Sequence, residues 1–365
     1  KVLSIKESMS IARTAKATVI ANVLADLDEV INGNYLPTSY DADNKGRITR
    51  WAAMAIKAKI YLFEGNWTQV KNITSTIMTE GGFKLFGSYA GLFEIANEYN
   101  SEVILDAQYR PTSREHQMMY VFLPPTLGGY SQLSPLQELV DSYIMLDGKT
   151  IKETGTSFDE SHPYANRDPR LKATVMYTGN SYTLADGTEV VINCEKGEGK
   201  DGYGVGSDCS ATGYYIKKYW DNTYRATLYS GLNPILIRYA DILLMNAEAL
   251  AELGELDKTA WDATIKPIRD RAGFTLASAL EFPEGASKDK LIEIVRNERR
   301  SELALEGHRH KDIIRWRIAD NVLNGWCHGL KTNDVVGTDD GYVRVENRTF
   351  NANKHYLWPI PQAER

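Results

Sequence analysis

Apolar residues recur every three or four positions toward both ends of the chain and lose that period in the middle. In "TAKATVIANVLADLDEVI" (14–31), Val19, Val23, Leu27 and Val30 fall on one face, which predicts an amphipathic helix. "NYLPTSY" breaks it. "RITRWAAMAIKAKIYLFEGNW" (47–67) predicts a second helix, stopped near Gly65, and "TQVKNITSTIMTEGG" (68–82) a third, closed by glycines. A short turn joins these two into a helical hairpin. The design returns in "NPILIRYADILLMNAEALAELG" (233–254). There Ile237, Ala240, Leu244, Ala247 and Ala251 are spaced by three and four, and Gly254 suits the helix end. "ELDKTAWDATIKPIRDRAGF" (255–274) follows as its partner, and "SKDKLIEIVRNERRSELALEG" (287–307) opens another pair. Hairpins of about 34–40 residues, with small residues where helices touch, are the tetratricopeptide-type signature. Pro267 lies inside the partner helix and crowds the carbonyl of Ala263, which predicts a kink or a late start there.

The middle, roughly 83–232, carries little helical period. "SEVILDAQY" and "LKATVMY" read as short strands. The rest is Gly, Ser, Asn and Tyr in long connections, and long ordered connections carry function. The expected architecture is therefore mostly α: a single domain over 1–365, with helical hairpins about 14–82 and 233–319. They form a tetratricopeptide-like superhelix supporting a loop-rich ligand-binding region about 83–232 with a few short strands. A C-terminal segment, 320–365, closes the chain.

Composition narrows the function classes. Hydrophobic content of 43% and charged content of 25% are those of a folded domain. The net charge is −6 and the basic residues are scattered, so no face invites nucleic acid. No apolar run approaches the roughly 18 residues of a membrane span. Cys194, Cys209 and Cys327 form no CxxC pair and exclude a disulfide scaffold. Tyrosine is the outlier, 21 against 9 Phe, and such rings, apolar in body and wet at the tip, suit contact surfaces.

"ERRSELALEGHRHKDIIRW" (298–316) is the densest run of ionisable residues considered. Glu298, Glu302 and Glu306 stand at i, i+4 and i+8. A di-metal site wants Glu-x-x-His pairs on facing helices, whereas here His308 and His310 follow Gly307 and arginines are interleaved. Cations inside the cluster repel a metal, so we expect a structural ion-pair network. Arg299–Glu302, Glu306–Arg309 and Arg309–Asp312 are its local pairs. "GEGKDG" (197–202) matches GxGxxG, but "YGVGSDCSATG" after it is no helix, so a flexible loop is the better reading. "DADNKGRITRWA" (41–52) imitates a calcium loop, yet Lys45 and Ala52 stand where ligands belong. No GxSxG, HExxH or Walker loop occurs, and His116, His162, His328 and His355 are isolated. No catalytic residue, metal or cofactor is assigned.

Two aromatic stretches remain. "YVFLPPTLGGYSQ" (120–132) carries Tyr120, Phe122 and Tyr130. "GYYIKKYWDNTYR" (213–225) carries Tyr214, Tyr215, Tyr219, Trp220 and Tyr224 beside Asp221, Asn222 and Arg225. Aromatic faces stack on the C–H faces of sugars while amides and carboxylates take the hydroxyls. The expected ligand site is Tyr120, Tyr130, Trp220 and Tyr224 as stacking rings, with Asp221, Asn222 and Arg225 as polar partners. The plainer alternative is that these rings pad a loop-rich core.

"RYADILLMNAEALAELG", "IRDRAGF", "IVRNERRSELALEGHRHKDIIRW" and the closing "YLWPIPQAE" resemble the C-terminal half of the SusD/RagB family. "AAMAIKAKIYLFEGNW", "SEVIL", "DSYIMLDGK" and "NRDPRLKATV" resemble its earlier landmarks in the right order. The resemblance implies a surface-exposed outer-membrane lipoprotein of Bacteroidetes-type bacteria, built on four tetratricopeptide-like helix pairs. Such proteins bind glycans or other nutrients and pass them to a SusC-type TonB-dependent transporter; they are not enzymes. A lipidated cysteine and an N-terminal segment upstream of Lys1 are implied as well, with membrane attachment only through that anchor. His310 stands where the family often has an aromatic, and Pro267 interrupts a helix that the family keeps smooth. Two other readings stay open: a protein-interaction scaffold without a small ligand, and a hydrolase with an unrecognised carboxylate pair.

Overall fold

A computed structural model of the chain describes residues 3–9, 11–223, 228–359 and 362. The helices of seven residues or more among them are α1 (Lys16–Asn32), α2 (Arg50–Glu64), α3 (Trp67–Glu80), α4 (Tyr239–Leu253), α5 (Lys258–Ala272), α6 (Lys288–Glu302) and α7 (Arg309–Arg315). Side-chain caps fix most of their starts. Thr49, Asn66, Asp257 and Ser287 accept hydrogen bonds from the third backbone N–H downstream, at the heads of α2, α3, α5 and α6. Gly65 and Gly254 close α2 and α4 in left-handed geometry, φ 70° and 73°.

α4 is the axle of the helical frame. It packs against α2, α3, α5 and α6, and so is buried on nearly every side. Ile242, Met245 and Ala249 on one face join the core of α1, α2 and α3. Ala240, Leu243, Leu244 and Ala247 on the other meet Trp261, Ile265 and Ile268 of α5 and Leu291 and Val295 of α6. The small residues of α4 let four neighbours approach one helix.

Among the described residues, nine short strands accompany the helices: β1 (Val103–Asp106), β2 (Val175–Met176), β3 (Ser181–Thr183), β4 (Glu189–Val191), β5 (Tyr215–Ile216), β6 (Ile235–Arg238), β7 (Gly325–Lys331), β8 (Thr338–Asp339) and β9 (Tyr342–Arg348). The pairs β1–β6, β2–β5 and β3–β4 are antiparallel ribbons, and the C-terminal sheet has the order β7-β9-β8.

Four expectations need correction. "PILIR" is not the start of α4: it pairs with β1, and the helix begins only at Tyr239. "LKATVMY" is a helical turn, Pro169–Thr174, running into the two residues of β2, because Asp168 caps it and Pro169 pre-sets its first φ. α5 does not start late. Asp257 caps it at Lys258 and it runs through Pro267 to Ala272, held by buried Trp261, Ile265 and Ile268. α6 stops at Glu302, and Leu305 and Gly307 both take positive φ, 64° and 78°. Glu306 therefore sits on a turn, off the expected helical row.

The middle of the chain is more than connection. It builds a core of its own, in which Tyr89, Phe93, Tyr143, Tyr182 and Tyr215 are buried alongside Met119, Phe122 and Leu171. Lys218, Glu302 and Ala304 tie that core to the helical frame.

Candidate functional site

The acidic row resolves first. Glu302 is buried and receives Arg170 at 2.9 Å, Arg238 at 2.6 Å, and Arg271. Glu306 receives Arg238 at 2.8 Å and Lys218 at 2.7 Å. Glu298 pairs with Arg269 and Arg170, each at 2.7 Å. Burial alone would raise the Glu302 carboxyl, but Arg271, Arg238 and Arg170 overcome it and hold it far below the usual range. The same contest, with Arg238 and Lys218 opposing burial, leaves Glu306 at about 2. Every carboxylate faces a guanidinium or ammonium group, so the cluster is a structural network, as its interleaved arginines imply. The expected local pairs do not form. Arg299 reaches Asp241 on α4 and Asp312 on α7 rather than Glu302, and Arg309 pairs with neither Glu306 nor Asp312. The turn at Leu303–Gly307 carries Glu306 off the helix face toward other elements.

The first aromatic stretch forms a ledge. Tyr120 sits in the one-turn helix Met118–Phe122, and the chain then reverses through Pro124–Gly129. Tyr130 N–H donates to the Tyr120 carbonyl at 3.0 Å and Leu133 N–H to the Val121 carbonyl at 2.9 Å. That return stacks the two rings, with centroids 4.2 Å apart and planes 29° from parallel. Glycine is required in the turn: a Cβ on Gly129 would sit 2.1 Å from the Leu123 carbonyl oxygen, and Gly128 has φ +81°. Thr126 pins the turn to buried Asp201, through its N–H at 2.8 Å and its hydroxyl at 2.5 Å. Tyr130 remains 39% exposed, while Tyr120 is half-buried against the middle core.

The second stretch divides. Tyr214, Tyr215 and Tyr219 are sealed in the core, as padding rather than surface. Trp220 is half-buried; its indole N–H donates to the Thr183 carbonyl at 2.8 Å, and its ring meets Tyr182 edge-on at 5.1 Å. Asp221 departs from expectation. It is only 2% exposed, and its carboxylate accepts from Thr223 N–H at 2.9 Å, the Thr223 hydroxyl at 2.6 Å and the Ser230 hydroxyl. A carboxylate so satisfied shapes its own loop. Asn222 is exposed. Tyr224 and Arg225 lie outside the described residues. A Cβ on Gly128 would lie 4.0 Å from Leu228, so this loop passes near the tyrosine turn, and Tyr229 next to Leu228 is 39% exposed. The spacing gave no reason to single out Tyr229. The stacked pair Tyr164–Tyr177, 3.9 Å apart and partly buried, also went unanticipated, because its members come from separate segments.

Fold and surface together define a class: a helical-hairpin frame that carries an inserted, aromatic-rimmed loop layer. A family model described as the SusD family matches residues 92–365, and the chain belongs to that family. The SusD-like protein P25 of Formosa agariphila is 28% identical over 345 residues, covering 88% of this chain and 59% of that protein. A SusD-like protein of Bacteroides ovatus is 24% identical over 326 residues, covering 82% and 53%. The chain thus spans between about half and two-thirds of the length of such relatives. A crystal structure of a SusD-like carbohydrate binding protein from Bacteroides fragilis superposes with a TM-score of 0.87 at 28% identity, covering 99% of this chain and 72% of that one. A laminarin binding SusD-like protein, 23% identical with a TM-score of 0.58 over 87% of this chain and 65% of its own, shares the fold. No helix among the described residues is long and apolar enough to cross a membrane.

Proposed function

We propose that this protein is a carbohydrate-binding protein that captures oligosaccharide on its loop layer. The helical hairpins about 14–82 and 233–319 act as the frame, and the region about 83–232 as the binding part. The observation that carries this reading is the Tyr120–Tyr130 stack. A rigid glycine turn holds it at the surface, with Tyr130 open to solvent. Covering about 40 Å² of ring face at roughly 25 cal/mol per Å² contributes about 1 kcal/mol, so a few such platforms give the modest, reversible affinity that capture and release require. The match to a structure described as carbohydrate binding, above 25% identity, supports the same reading.

Membership of the family supports the further steps: display at the outer-membrane surface through a lipid anchor, and delivery to a SusC-type TonB-dependent transporter. In this role the protein binds and hands over; it does not cleave. The proposed site also takes in Trp220, half-buried, and Asn222, exposed, on the loop after β5. Affinity electrophoresis over a polysaccharide panel tests the site. Tyr130→Ala is expected to show reduced retardation on the glycan that binds. An unchanged shift for Trp220→Ala would remove that ring from the site, and retention by both variants would move the site elsewhere. Release of product from a bound glycan would replace binding with hydrolysis.

A further inference from the structure

α6 and α7 carry five arginines, and they divide into two kinds. Arg296 pairs with Glu252 at 2.9 Å, Arg299 with Asp241 at 2.6 Å, and Arg315 with Glu248 at 2.6 Å. Arg300 and Arg309 have no carboxylate partner among the described residues. Arg300 donates a single side-chain hydrogen bond, to the Glu138 carbonyl. Arg309 donates none and lies over Trp316, 5.9 Å from the ring centroid. The carboxylates within electrostatic range of Arg300 are committed elsewhere: Glu138 to His328 at 2.8 Å and Asp141 to Gln137 at 2.7 Å. Burial, then the charge of Arg309, push the Arg300 guanidinium down to about 10, and burial lowers Arg309 as well.

Both side chains line two adjoining grooves. One, about 710 Å³, runs between the α6–α7 turn and β7, with Leu139, Leu303 and Trp326 on its walls. The other, about 760 Å³, continues beside α5 and α6. Trp326 is 42% exposed. Two partly desolvated like charges cost folding energy unless an anion joins them. Every other arginine on these helices has its anion built in. A guanidinium fork fits the paired oxygens of a carboxylate or a sulfate.

We propose that Arg300 and Arg309 form a seat for a ligand oxyanion, a carboxylate or sulfate ester, carried on a sugar ring that lies against Trp326. The sugar part of this proposal rests on the carbohydrate-binding reading; the oxyanion part stands without it.

Calorimetric titration of the full chain with tetragalacturonate, a sulfated tetrasaccharide, maltotetraose, sodium glucuronate and sodium sulfate separates the sources. Arg300→Gln/Arg309→Gln is expected to weaken binding of an acidic tetrasaccharide at least tenfold. It should keep or raise the melting temperature, because the mutual repulsion is gone. Exposed Arg317→Gln should change neither. Trp326→Ala should weaken the acidic tetrasaccharide but not free sulfate. Should the double variant fail to fold, Arg309→Lys keeps the charge and loses the fork, and is expected to weaken binding severalfold. If acidic probes bind parent and variants alike, or bind neither, the seat is refuted. If neutral maltotetraose binds through Tyr130 while no anion binds, the seat falls and the carbohydrate reading stands. If sulfate binding depends on both arginines while no oligosaccharide binds, the seat stands and the carbohydrate reading falls.

Discussion

The Glu302 cluster and the Tyr120–Tyr130 ledge are opposites in every physical respect. In the cluster, ionisable groups are buried and each carboxylate is closed by at least two cations, most of them within 3 Å. Nothing is left over for a ligand. On the ledge the paired groups are two stacked rings rather than ions, and Tyr130 is left open to solvent. The lesson concerns where function sits. A dense ionisable run marks a place where several segments must be held in one arrangement, here α6, the turn after it, β6 and the middle core. A binding surface is marked instead by valence or area left unused. Arg300 and Arg309 belong to the charged region by sequence and to the second kind by structure.

The sharpest way to break this contrast is Glu302→Gln, which keeps the shape and removes the charge that faces Arg170, Arg238 and Arg271. Leaving three buried guanidinium groups short of an anion is expected to cost about 3–5 kcal/mol. That corresponds to a fall of roughly 4–7 °C in melting temperature for a chain of this size. Thermal melting followed by circular dichroism checks it, and a melt that matches the parent would make the cluster an accessory.

Acid gives the next largest effect. Glu306 titrates near 2 when folded against an ordinary value of 4.5, so the unfolded chain takes up its proton first. The stabilisation is complete above about 4.5 and drains away as pH falls toward 2. Urea midpoints should be flat from pH 7 to 5 and drop steeply below about 4.5; a flat profile down to pH 3 would contradict the assignment.

On the ledge the expectation reverses. Tyr130→Ala should weaken glycan binding about fivefold, equivalent to about 1 kcal/mol, and shift the melting temperature by no more than about 1 °C. Titration calorimetry and melting on the same sample decide whether affinity and stability are separable there.

The smallest effect lies at His328. Its ring bonds Glu138 at 2.8 Å and Asp339 at 3.1 Å, and Arg344 also holds Asp339. Burial lowers the imidazole, but the hydrogen bonds to Asp339 and Glu138 outweigh it and raise the net value above 6.5. A raised folded value means that the contribution is full below about 6.5 and is lost as pH rises through the folded value. The groups are a quarter or more exposed, so His328→Ala should cost only about 0.5 kcal/mol at pH 6 and almost nothing at pH 9. Hydrogen exchange in β7 and β9 at the two pH values reads the difference.

The helices were legible because their evidence is local. Val19, Val23 and Leu27 show the 3.6 period, Asn66 and Ser287 cap, and Gly65 and Gly254 terminate, all within one segment. "PILIR" was misread because its apolar run continues into α4, and only β1, more than a hundred residues earlier, turns it into a strand. The ledge was half legible. Tyr120 and Tyr130 were singled out by composition, but Asp221 looked just as available until Thr223 and Ser230 were seen to occupy it.

The chain's own pattern determined where the long helices lie and several of their caps, that small residues line α4, and that the charged run is a network of ion pairs. Backbone hydrogen bonds, caps and face periodicity act between residues a few positions apart, and a linear text records them. Tertiary structure alone decided which partner each charge takes and which tyrosines are covered. Arg299 meets Asp241 across 58 positions, Arg170 meets Glu302 across 132, and Tyr214 is covered while Tyr130 is not. Burial and ion pairing are properties of a place, and distant segments make that place together.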